Sequence, residues 1–105
     1  MKDKYSLEDL QKQTDMWIKS HGGYWPPLFM LAAVLEELGE LSREINYVEG
    51  YKPKKEHYPD HSIGEELADT VFALICIANH YQINLQEEFR KVLKKYSNRD
   101  ANRFT

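Results

Sequence analysis

Residues 62–81 read SIGEELADTVFALICIANHY. Ser62 with Glu65 three residues later is a capping box, which marks a helix start. From Thr70 to Ala78 the stretch is apolar on every side, and an all-round apolar helix is one buried all round. The three other helices the chain can form are too short to enclose it. A second copy packed against it is the simplest remedy, so the expectation is a homo-oligomer, dimer or tetramer.

Working outward, the rest of the chain is punctuated as helices. Ser6 precedes an amphipathic stretch from Leu7 to Ser20 that carries Leu7, Leu10, Thr14, Trp17 and Ile18 at helical spacing. Trp17 falls on that stripe and reads as core. Gly22 and Gly23 stop this helix, and Pro26-Pro27 opens the next. That second helix runs to about Val48, with Leu31, Val34, Leu35, Leu38, Leu41, Ile45 and Val48 as its apolar stripe. Residues 50–61 hold two prolines and read as a loop. Asn84 with Glu87 caps a fourth helix that should end near Tyr96, before a polar tail expected to be extended or frayed. The fold class is all-α, a four-helix bundle-like single domain over residues 1–105.

Composition narrows the function. The chain has 105 residues and a net charge of −3, which argues against binding a nucleic acid polymer. No apolar run approaches the roughly 18 residues of a membrane span, and the N-terminus lacks a signal peptide's apolar core. The one cysteine, Cys76, cannot form an internal disulfide, and a cytoplasmic location is expected.

Two acidic clusters carry the chemistry: LEELGEL at 35–41 and EELAD at 65–69. Glu37 with Glu40, and Glu66 with Asp69, stand three apart, so each pair shares a helical face where like charges repel unless a cation lies between them. A solvated acidic face is the bland reading, and it suits Glu37 and Glu40 taken alone. Asp69 resists it, because its face continues through Phe72, Ala73 and Cys76 with nothing polar. An ionised carboxylate at the head of such a face needs a partner. A divalent metal shared between the second and third helices would satisfy all four acids, and oxygen-only ligands favour Mg²⁺ or Mn²⁺.

The pattern Glu-Glu-x-x-Glu, a spacer of 25 residues between Glu40 and Glu66, then Glu-x-x-Asp resembles the MazG-like, all-α nucleoside triphosphate pyrophosphohydrolases. The resemblance is closest to small stand-alone members. It implies hydrolysis of (d)NTP to (d)NMP and pyrophosphate, with Glu37, Glu40, Glu66 and Asp69 as Mg²⁺ ligands. Glu36 would be a further ligand, an outer base, or simply exposed. Similar proteins contact phosphates near the end of the fourth helix, which here matches Lys94, Asn98 and Arg99. They often place a base-stacking aromatic where Tyr47 stands, seven residues after Glu40.

Other candidates remain two-sided. Trp25 either packs or binds a base, and Tyr24 and Phe29 lie near it in sequence. Asn79 either bonds a sugar or base or caps a helix, and His21 is a further residue to set against a base. In the loop, Lys54 and Lys55 either close over phosphates or serve solubility, as Lys52 does. Residues 84–105 hold six basic groups against three acids, so this segment is +3 and the remainder −6. An acidic cup beside a basic tail suits a metal-triphosphate. The alternative is a non-catalytic nucleotide- or metal-binding helical module.

Overall fold

The computed structural model describes residues 5–51 and 62–100 of the chain. Four helices follow in order: α1 (Leu7–Ser20), α2 (Pro27–Val48), α3 (Ile63–His80) and α4 (Leu85–Asp100). Among the described residues there is no strand.

The helix boundaries follow from local chemistry. Ser6 Oγ accepts the amide of Asp9, and Ser62 Oγ accepts that of Glu65 at 2.9 Å. Asn84 Oδ1 accepts the amide of Glu87 at 3.1 Å. Each satisfies one of the amide donors that a helix start leaves orphaned. Gly22 and Gly23 end α1 with φ of 105° and 89°, a region that costs glycine nothing. Pro27 opens α2 where no intrahelical donor is missed. One boundary differs from expectation: α4 continues through Ser97, Asn98 and Arg99 to Asp100 rather than stopping near Tyr96. No glycine or proline interrupts this run, and the Arg99 guanidinium lies 4.7 Å from the Tyr96 ring centroid, a contact within the final turn.

The α2–α3 pair is the centre of the chain; α1 lies on α3, and α4 packs on α1. The core is small: Met30 and Val34 of α2 and Ala73, Ile75, Cys76 and Ala78 of α3 are its buried apolar residues. Within one chain, α3 is therefore not buried all round. Leu67, Val71 and Leu74, at helical spacing, remain 48%, 45% and 46% exposed. Leu31, Leu35 and Leu38 of α2 are exposed too, as are Phe89, Leu93 and Tyr96 of α4. Four helices of these lengths do not supply enough surface to cover three apolar stripes.

A buried amide ties α1 to the turn between α3 and α4. Gln11 is the buried residue of α1, although the apolar stripe gives no sign of it. Its Nε2 donates to Asn79 Oδ1 at 3.0 Å and to the Ile83 carbonyl at 2.8 Å, while its Oε1 accepts the Leu85 amide at 2.9 Å. Asn79 Nδ2 returns a bond to the Gln11 carbonyl at 3.0 Å. Gln82, at φ 56°, supplies the left-handed step of the turn. Gln11→Leu orphans several of these groups together, so it should lower unfolding free energy by about 3 kcal/mol in urea titrations.

Candidate active site

Glu37, Glu66 and Asp69 converge across the α2–α3 seam. One carboxylate oxygen from each lies within 4.8 Å of the others. Glu66 is 2% exposed and faces α2. Asp69, three residues on, is turned by about 60° relative to it. This corrects the sequence reading: the buried acid is Glu66, whereas Asp69 is exposed at the margin of a cavity. Ala73 and Cys76 are buried as expected, but Phe72 is 41% exposed.

Electrostatics mark the cluster as under tension. Burial first, then the charges of Asp69, Glu66, Glu36 and Glu40, push the Glu37 carboxyl above its ordinary range. A hard divalent cation among three oxygens would reverse that repulsion, and the donor set suits one. Glu40 is half-buried and lies near enough to raise Glu37, but it falls outside the triad; its carboxylate lies 3.6 Å from Arg43 Nη1. Glu36 is exposed.

Glu44 is an acid that sequence reasoning passed over. It is 3% exposed, and its Oε1 is buried without a hydrogen bond. The available signal was its spacing, seven residues beyond Glu37 on the α2 seam; next to Ile45 and Val48 it reads as an ordinary surface acid.

A cavity of about 500 Å³ opens beside the triad. Glu37 and Asp69 stand among its walls, with Met30, Ala73 and Cys76, while Trp17, His21, Tyr24 and Trp25 supply aromatic surface. Trp17 is thus not core. It is 53% exposed, because its side of α1 faces the cavity. Its indole stacks on His21 at 4.1 Å and meets Phe72 edge-on at 6.0 Å. His21 Nδ1 lies 2.7 Å from the Trp17 carbonyl and 2.9 Å from Ser20 Oγ. Burial pushes the Cys76 thiol up, so it is held protonated and unreactive.

The remaining expected residues distribute unevenly. Trp25 is 63% exposed and lines the cavity. Asn79 does not line it, since its amide is engaged with Gln11, and the structure gives it a tying role instead. Tyr47 is half-buried on α2 and is not among the cavity walls. Lys94, Asn98 and Arg99 are exposed on α4 and do not reach the cavity of their own chain. Lys54, with Lys52 and Lys55, lies outside the described residues.

An all-α hairpin here sets three carboxylates beside an aromatic cavity, and similarity to known proteins gives the class. Residues 26–104 match the MazG nucleotide pyrophosphohydrolase domain. The chain is 43% identical to the uncharacterized protein YpjD of Bacillus subtilis (strain 168), over 100% of this chain and 95% of the relative. The crystal structure of YPJD from Bacillus subtilis superposes with a TM-score of 0.79, covering 91% of this chain and 98% of that one. The Bacillus-conserved MazG protein, a nucleotide pyrophosphohydrolase, does so with a TM-score of 0.73 at 36% identity, over 90% and 93%. The chain belongs to the MazG nucleotide pyrophosphohydrolase family and is a hydrolase of that kind.

Tyr24 gives the cavity wall a measurable signature. Burial first, then the hydrogen bond to Asp15, pushes its phenol from 10.0 up to about 12. A folded-state value above the unfolded one contributes stability that is complete below pH 10 and lost as pH rises through about 12. The difference in urea midpoint between wild type and Tyr24→Phe should therefore be flat at neutral pH and shrink across that alkaline window.

Proposed function

We propose that the protein hydrolyses (deoxy)nucleoside triphosphates to the monophosphate and pyrophosphate with Mg²⁺, or Mn²⁺ in its place, clearing unwanted nucleotides from the cytoplasmic pool. The observation that carries this reading is the opening of an aromatic cavity directly onto the Glu37–Glu66–Asp69 triad. Its volume is within the range of about 300–1,000 Å³ usual for small-molecule sites.

Glu37, Glu66 and Asp69 would hold the cation, with Glu40 as a fourth ligand. A divalent cation there would supply charge neutralisation for the phosphates and a more acidic water. A carboxylate oxygen not engaged in holding it would accept that water's proton, a role open to Glu36 as well. Trp25 and Trp17 offer flat surfaces for the base, and stacking of this kind tolerates any base. Tyr47, Lys54, Lys94, Asn98 and Arg99 are assigned to the phosphates or base of a closed assembly rather than to the cavity of one chain.

That assembly is a homo-oligomer, dimer or tetramer. Its support is the exposed apolar stripe along α2 and α3, which in a lone chain would face water. Leu35→Glu combined with Val71→Glu should reduce the sedimentation mass to that of a monomer; an unchanged mass would show that this face is not the interface.

The test of function is product analysis over a panel of nucleoside triphosphates with and without Mg²⁺. Monophosphate and pyrophosphate that appear only with metal are the expected products, while diphosphate and phosphate would contradict the cleavage site. Asp69→Asn should abolish metal-dependent turnover and leave helical circular dichroism intact. Full activity in that variant would remove the metal-site assignment.

A further inference from the structure

The segment between α1 and α2 forms one wall of the cavity through His21, Gly23, Tyr24 and Trp25. Its backbone begins with two consecutive left-handed glycines, and glycine resists movement least of all residues. Neither has an atom within 4 Å of where a Cβ would stand, so packing does not hold them. The first firm attachment after them is Tyr24. Its hydroxyl donates to Asp15 Oδ1 at 2.5 Å, nine residues back on α1. Lys19 Nζ lies 3.0 Å from the other Asp15 oxygen, and the Tyr24 ring meets His80 edge-on at 6.5 Å. Trp25, next in the chain, has far less to hold it and is 63% exposed at the cavity.

We infer that the Tyr24–Asp15 hydrogen bond is a clasp that sets the α1–α2 segment, and with it Trp25, in position to receive the nucleobase. Asp15 is not a wall of the cavity and is a positioning residue acting through Tyr24. The inference rests on the reading of the cavity as the base site. It separates two halves of that site: the clasp governs the aromatic half, and the carboxylate triad on α2 and α3 is independent of it.

A released segment populates the receptive arrangement only part of the time, and apparent affinity falls by that fraction. Asp15→Ala and Tyr24→Phe should each raise KM for a nucleoside triphosphate about tenfold, the worth of one hydrogen bond to a charged group. The double variant should be no worse than the more affected single variant, because each already loses the Tyr24–Asp15 bond. In Asp15→Ala, turnover at saturation should change by less than about twofold, since the triad is untouched. Asp15→Asn keeps an acceptor and should recover most of the loss, while Lys19→Ala should have little effect. Binding of inorganic pyrophosphate with Mg²⁺, measured by calorimetry, should match wild type in the Asp15 and Lys19 variants.

Unchanged KM in Asp15→Ala, or pyrophosphate binding weakened as much as nucleotide binding, would overturn the clasp. A cavity-filling Ala73→Phe variant addresses the underlying reading separately. Normal KM in that variant would show that the base lies elsewhere, and the clasp would fall with the base site. Raised KM in Ala73→Phe with unchanged KM in Asp15→Ala would overturn the clasp alone.

Discussion

Three carboxylates within 4.8 Å of one another are the constraint around which this molecule is arranged. Repulsion among them opposes the very contact, α2 against α3, that forms the centre of the fold. The helices nonetheless meet because Met30 and Val34 bury against Ala73, Cys76 and their neighbours on the same seam. Apolar burial thus holds the acids in place. Site and scaffold are two parts of a single helix pair, so the convergence of the three carboxylates is built into the α2–α3 packing.

The second arrangement follows from α1. Through Gln11 it is pinned to the turn between α3 and α4 by a set of amide hydrogen bonds. Further along α1, Trp17 stands off α2 and leaves room for the cavity. A fully packed bundle would fill that space with the tryptophan. Here the chain keeps two aromatic walls, Trp17 and Trp25, half in water.

Much of this could be read directly from the chain. Ser6, Ser62 and Asn84 announced their helices, and the glycine and proline pairs marked the first connection, because caps and breakers act on the backbone within one turn. The acidic motif and its spacing placed the chain in its family and brought Glu37, Glu66 and Asp69 forward. Periodicity was a poorer guide to burial. It put Trp17 in the core, gave Asp69 rather than Glu66 the buried place, and passed over Gln11 and Glu44. All four depend on which neighbour a helix face meets, and no local pattern holds that information.

The sequence by itself determined the four helices, their starts, and which acids share a face, since these follow from hydrogen bonds and angles within a few residues. Only the tertiary structure decided that Glu37, Glu66 and Asp69 meet. It likewise gave the amide of Asn79 to Gln11 and made Trp17 a wall instead of a core residue. Those outcomes are set by the rotation of one helix against another. That rotation is a compromise among all their side chains at once, and a one-dimensional pattern does not contain it.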